Sequence, residues 1–453
     1  MSTITLIRVD GTVDGPWAIG SGEAGQEINQ AMLVDERTQA PVLPSTTLAG
    51  ALRAHLGEPS ASDWLGPDSD ASDEQGKPLS ATSPSRLWAL GAITTAGRDD
   101  ARLERRTAID PQRGAAGGQT LRTEHVVDVA DPDRSSFRWV LQHDGAIDLA
   151  LLDRLADWSC AIGARQTLGL GRMRVSRVEA ITLNLSEARQ LTWWLTQRAE
   201  WLREPAGQQN VESPEDGPHE VRCGTATESG YPVFSYLWRI VDPLHVGTPS
   251  KGGDDVATAP DGGRIAQLAP LRRSRTVPGA AEVPGSAWKG VFRHRCEFIL
   301  RACGAGEDQI AAVVGVLFGA SGEDGPGRRR GLLVFDRSTV VAPPDAVTSR
   351  SHVAIDRISG GAADGLLYRI ESVDRGELTL TVRSFAQLPA PVGNLLDHVV
   401  RDLHDGVVGI GGSTTRGYGT IAVTGDPPTP GPVDLQGLGT FASTVLNSAK
   451  APA

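Results

Sequence analysis

Pro284-Gly285-Ser286-Ala287-Trp288-Lys289-Gly290-Val291-Phe292-Arg293 decides the fold, because the segment occurs twice. Its earlier copy is Pro44-Ser45-Thr46-Thr47-Leu48-Ala49-Gly50-Ala51-Leu52-Arg53. Downstream of each copy lies an apolar–apolar–aspartate run, Thr107-Ala108-Ile109-Asp110 and Val353-Ala354-Ile355-Asp356, with glycine four residues on at Gly114 and Gly360. A glycine-rich run closes each set: Ile162-Gly163-Ala164-Arg165-Gln166-Thr167-Leu168-Gly169-Leu170-Gly171 and Ile410-Gly411-Gly412-Ser413-Thr414-Thr415-Arg416-Gly417-Tyr418-Gly419. Three collinear matches at nearly constant spacing mark two copies of one domain, and any function must make sense in duplicate.

The segments around these signatures alternate strand and helix patterns. Strands are predicted at 3–9, 86–90, 137–141 and 172–175, and again at 234–240, 331–335, 378–382 and 420–423. Proline, then Ser or Thr, then apolar residues at helical spacing predicts a capped helix start at each PSTT/PGSA segment. Leu48, Leu52 and Leu56 are its expected buried stripe in the first copy, and Trp288, Val291, Phe292, Phe298 and Ile299 in the second. Further helices are expected over 148–162, with Leu149, Leu152, Leu155 and Ala156 inward, and over 391–405. The order β-α-β-(insert)-β-α-β, twice, predicts an α+β protein of two tandem ferredoxin-like (RRM-like) domains, each with an inserted hairpin around the AID run. The expected boundaries are 1–185, a helix and flexible linker over 186–230, 231–426, and a Pro/Gly-rich tail over 427–453.

With 453 residues the chain is long enough for two cores. No run of about 18 apolar residues is present, so no membrane span or membrane partner is expected. The N-terminus shows no signal-peptide pattern, and the four cysteines form no CxxC pair, so a zinc site is not expected and a reduced, cytoplasmic setting is. Cys296 and Cys303 are expected to be buried free thiols. The net charge of −11 argues against a uniformly basic nucleic-acid binder. The cations, however, crowd the repeated signatures while the acids crowd the intervening polar stretches, so a local basic face is available.

The glycine runs follow a helix and precede a strand, the reverse of a dinucleotide fingerprint, so no nucleotide cofactor is expected. Glycines there let the backbone turn tightly or approach a neighbour closely, whether RNA or protein. A helix start suits phosphate oxygens. Candidate RNA contacts are therefore Ser45, Thr46, Arg53, Arg105, Arg106 and Arg165 in the first copy, and Ser286, Lys289, Arg293, Arg350, His352, Arg357 and Arg416 in the second. Asp110 and Asp356 are read as turn-holding residues.

Taken together these motifs resemble the RAMP superfamily of CRISPR effector proteins, in particular the backbone subunits of type III complexes. Val283 to Gly290, Ala354 to Ala362 and Ile410 to Gly419 carry the likeness most closely; the first copy is more degenerate, with Pro111 where the thumb arginine belongs. The resemblance implies an RNA-binding, antiviral-defence subunit whose partners are CRISPR RNA, target RNA and other RAMP subunits. The AID hairpins would be its thumbs. In family members that cut target RNA, an aspartate precedes the first helix and a divalent metal, Mg or Mn, is required. The matching positions here are Asn29 and Gln267, which implies inefficient cleavage and no resident cofactor. Asp35, Asp255 and Asp261 (with Asp254 beside them) are the nearby carboxylates that could restore it. The rival expectation is a metal-dependent endoribonuclease. Metal-independent cutting by His352 finds no Lys or Tyr at short sequence spacing to support it.

Overall fold

The computed structural model describes residues 3–22, 28–67, 84–110, 115–116, 120–129, 131, 135–146, 148–203, 219–225, 230–247, 256–258, 264–267, 272–274, 277–320 and 329–448. The first half contains strands β1 (Thr3–Asp14), β2 (Leu87–Thr94), β3 (Ala101–Arg106), β4 (Arg122–Val127), β5 (Ser136–Asp144), β6 (Ser159–Ala161), β7 (Arg172–Asn184) and β8 (His219–Cys223). Its helices are α1 (Ser45–Leu56), α2 (Leu149–Ala156), α3 (Ala188–Thr196) and α4 (Arg198–Arg203). Five strands form an antiparallel sheet in the order β8-β7-β1-β5-β2, with β6 added alongside β7.

Strand periodicity sorts the two faces of that sheet. Ile7, Val9 and Val13 meet Leu48, Leu52 and Leu56 of α1 and Leu151, Leu152 and Leu155 of α2 in one core. Ile4 and Leu6 point the other way, onto Trp193 of α3 and Trp201 of α4. Arg8 lies on that second face, 2.5 Å from Glu179, with its guanidinium 4.2 Å over the Trp201 ring.

The second half contains β9 (Tyr231–Ile240), β10 (Leu333–Phe335), β11 (Ser338–Val341), β12 (Val347–Ile355), β13 (Ala362–Val373), β14 (Glu377–Ser384) and β15 (Ile421–Val423). Its helices are α5 (Gly285–Ala302), α6 (Glu307–Phe318), α7 (Ala390–His404) and α8 (Leu435–Ser448). Its main sheet runs β11-β14-β9-β15, all antiparallel, with β10 also paired to β14. The hairpin β12–β13 projects as part of a separate sheet, in register His352 opposite Tyr368 and Arg350 opposite Ile370. The first half has its own hairpin, β3–β4, at the corresponding place in the chain. The chain is thus a mixed helix-and-strand, antiparallel α+β protein. Among the described residues no helix is long and apolar enough to cross a membrane.

Several expectations need correction. The helix expected over 148–162 ends at Ala156, where Asp157 stops it and 159–161 join the sheet; Leu151 is buried and Leu149 exposed. Asp148 caps it through bonds from the Ala150 and Leu151 amides, so the inward stripe starts later than periodicity alone implied. In α5, Phe298 is exposed beneath Arg295, and Cys296 takes the buried place. All four cysteines are free, but Cys303 is exposed, not buried. The helix after the first domain breaks at Gln197, bringing both Trp193 and Trp201 onto the sheet.

The expected flexible linker is not wholly a linker. Residues 204–218 lie outside the described set, but His219–Cys223 add a strand to the first sheet. The tail, whose order the sequence left open, carries α8, with Leu438 and Ala442 buried in the second core and the Gln309 amide bonded to Leu435 O at 2.6 Å. Leu438→Ala should therefore destabilise the second half by about 2–4 kcal/mol. Urea melting would read this as a lower midpoint at unchanged slope; an unchanged midpoint would detach the tail from the core.

Candidate nucleic-acid interface

The two glycine loops share one backbone. Arg165 and Ser413 adopt left-handed φ values of 64° and 60°. In each loop the final glycine amide bonds a proline carbonyl, Gly171 to Pro16 at 2.7 Å and Gly419 to Pro243 at 2.9 Å. A Cβ at either position would stand 2.0 Å from a backbone oxygen, that of Ile162 or Ile410. Positive φ and this close approach together demand glycine. The superposed register pairs Arg165 with Ser413 and Leu168 with Arg416, so the two arginines that looked equivalent occupy different places.

The loops also differ in what covers them. The first docks on the second half. A Cβ on Gly169 would meet Asp336 Oδ1 at 2.7 Å, and one on Gly285 would meet Leu168 O at 2.8 Å. Lys289 Nζ donates to Thr167 Oγ1 at 2.8 Å, and Arg330 donates to Gln166 Oε1 at 2.5 Å. In the second loop a Cβ on Gly417 would meet nothing within 4 Å. Residues 414–417 are exposed.

Around that open loop the hairpin base gathers a cationic, aromatic cluster. His352 stacks on Tyr368 at 5.4 Å and 12°, and its Nε2 lies 3.1 Å from the Tyr418 hydroxyl. Arg416 bonds the Tyr368 hydroxyl and sits 5.7 Å from its ring centroid. Arg350 pairs with Asp374 at 2.7 Å. That hydrogen bond raises the arginine's pKa and, against a small burial penalty, lowers the aspartate's, so both stay charged. At the hairpin tip Arg357 is exposed beside Ile358, which is 97% exposed. Asp356 accepts bonds from the Ile358 and Ser359 amides and the Ser359 hydroxyl, holding the turn as expected. The grouping of His352 with two tyrosines escaped sequence reasoning because Tyr418 is 66 residues away.

The other candidates are more occupied. Arg106 and Arg165 both pair with Glu124. Burial pushes the Glu124 carboxyl up, but the Arg165 hydrogen bond and the Arg106 charge outweigh it and hold the pKa low. Arg105 is half-buried on β3, opposite Thr123. Arg53 donates to the Gly66 carbonyl at 2.5 Å, and Arg293 pairs with Glu297 at 3.1 Å. Ser45, Thr46 and Ser286 sit in the first turns of α1 and α5, but Pro44 and Pro284 are the N-cap residues and neither helix has a side-chain cap. The expected Ser/Thr capping is therefore replaced by proline, whose fixed φ suits the entry to a helix.

The carboxylate question is partly visible. Asn29 Oδ1 accepts from the Thr123 amide at 2.8 Å, tying the residue to β4. Asp35 Oδ1 is taken by the Arg37 and Thr38 amides and the Thr38 hydroxyl. The side chain of Gln267, and Asp254, Asp255 and Asp261, lie outside the described residues. Among the described residues no group of three or more His, Cys, Asp or Glu side chains could hold a metal ion.

Burial, followed by the Arg293 and Arg165 charges, lowers the Lys289 pKa from the ordinary 10.5 to about 8. A lysine so depressed is charged in both states below pH 8. Between about 8 and 10.5 the unfolded chain holds the extra proton, so stability rises with pH across that window. The thermal midpoint should show this rise, and Lys289→Met should lack it. Parallel pH profiles for the two proteins would contradict the assignment.

Residues 239–422 match the family model of the RAMP superfamily. The matched stretch lies within the second half and contains the hairpin, the cluster and the open glycine loop. That match supports a CRISPR-associated, RNA-binding role for this part of the chain. No curated protein matches the chain.

Proposed function

We propose that the protein is a CRISPR RNA-binding backbone subunit of a type III RNA-guided effector, built from two tandem ferredoxin-like RAMP domains, 1–185 and 231–426. The convergence of hairpin base and open glycine loop carries the reading. His352, Tyr368 and Arg416 join charge to stackable rings, the combination that suits single-stranded RNA, with Arg350 alongside in its pair with Asp374. Arg357 and Ile358 at the exposed tip fit a thumb reaching across guide and target strands. Base pairing then supplies sequence specificity, and the protein recognises backbone geometry. The shared strand order of the two main sheets and the matching glycine loops support the tandem arrangement. Partners are CRISPR RNA, target RNA and neighbouring RAMP subunits in the cytoplasm.

Efficient cleavage is not part of this proposed role. An amide at Asn29, committed to a backbone bond, replaces the expected carboxylate. The decisive experiment is purification from the native host followed by sequencing of bound RNA. Short RNAs sharing one constant 5′ tag are expected; random RNA or none would overturn the reading. In the same preparation, labelled target RNA with Mg or Mn should stay intact. Regularly spaced cuts that disappear in Asp255→Ala or Asp261→Ala would instead establish the endoribonuclease alternative.

A further inference from the structure

We infer that the face joining the two halves is a self-sufficient protein–protein interface, which holds them together when the covalent connection is cut. Among the described residues, six charged side chains form one network there, beside a further pair between the halves, Arg172 and Asp336 at 3.7 Å. From the first half, Arg102 bonds Asp128 at 2.5 Å and Glu104 at 2.8 Å. From the second, Arg272 bonds Glu282 and Glu104, both at 2.9 Å. Arg337 spans Asp128 at 3.3 Å and Glu282 at 3.1 Å. Asp128 and Glu282 are each only 1% exposed.

Within this network the charges balance only in the joined state. The first half brings one arginine against two carboxylates, and the second brings two arginines against one carboxylate. Separation rehydrates both faces, so the network adds little net attraction, but any other partner that buried these side chains without matching carboxylates and arginines would leave charges unpaired, which is costly. Such a set fixes partner and register more firmly than exposed pairs do. The neighbouring glycine loop adds close backbone contact. A side chain at Gly285 would strike Phe335 O in its own half at 2.1 Å and Leu168 O across the face at 2.8 Å, and Lys289 and Arg330 reach across to Thr167 and Gln166.

The covalent path offers a clean test. Strand β8 belongs to the first sheet, and the Thr225 amide still bonds Ala156 O in the first half; Tyr231 begins the second half's sheet. A protease site placed within 204–218 leaves β8 on the C-terminal fragment, so strand pairing and interface both hold the pieces. A site within 226–229 leaves the interface alone to do so. Full-length protein carrying either site is freed of RNA by nuclease and salt, cleaved, and run on size exclusion at about 1 μM, where a nanomolar pair stays together.

Co-elution of both fragments after either cut is expected. Separation after the 226–229 cut overturns the proposal, whether or not the 204–218 cut holds. Arg272→Met should weaken re-association of the 226–229 fragments by about 30-fold or more. Uncleaved Arg272→Met should stay folded and elute as the uncleaved wild-type protein does. An unchanged affinity would remove the charge network from the account. Should that variant fail to fold, the wild-type cleavage result still decides the proposal.

Discussion

Gly419→Ala should cost the second half about 3–5 kcal/mol and abolish RNA binding through it. Two effects add. The residue sits at φ 81°, where any Cβ is strained by about 1–2 kcal/mol. That Cβ would also lie 2.0 Å from Ile410 O, a backbone atom that cannot swing aside. Moving it breaks the bond from the Ile410 amide to Gly419 O at 2.9 Å and the seat on Pro243. The loss should lower the thermal midpoint by roughly 10 °C for a domain of this size. Gly417→Ala is the control. Its φ is also positive, at 80°, but its Cβ would point into open space, so only the conformational strain remains. Equal effects of the two substitutions would refute the steric argument.

Removing Arg357 and Arg416 together should weaken RNA binding by about 10–100-fold at roughly physiological salt. Both side chains are exposed, one at the tip of the hairpin whose base carries the cluster and the other on the open loop. If each neutralises one phosphate of a single strand, the salt dependence of log K should flatten by about 1.4. The paired Arg106 and Arg165 form the comparison, since both are engaged by Glu124. Alanine there should cost stability more than affinity. Binding that falls with Arg106→Ala and not with Arg357→Ala plus Arg416→Ala would move the RNA path to the first half.

The features legible in the chain were those whose physics is local. A glycine required by positive φ, a proline entering a helix and an apolar stripe at helical spacing each declare themselves within a few residues. Hence both helix starts, both glycine loops and most strands could be read directly, and Leu48, Leu52, Leu56, Trp288 and Phe292 fell in the core as expected. The strand at 219–223 and the helix at 435–448 were obscured by polar and Pro-rich neighbours. Each exists because a distant sheet edge or helix face accepts it. The arginine count near the signatures was visible, but its meaning was not. Whether a cation is free for RNA depends on carboxylates such as Glu124, 41 residues from Arg165.

The amino-acid sequence alone supplied the repeated motifs, the mixed α+β plan and the two glycine loops, the loops because close backbone approach restricts residue choice at single positions. Only the tertiary structure assigned the loops different surroundings. The first is sealed against the second half by Gly285, Lys289 and Arg330, while the second stands open beside His352 and Tyr368. That distinction rests on contacts between residues 48 to 164 positions apart, which no local pattern encodes.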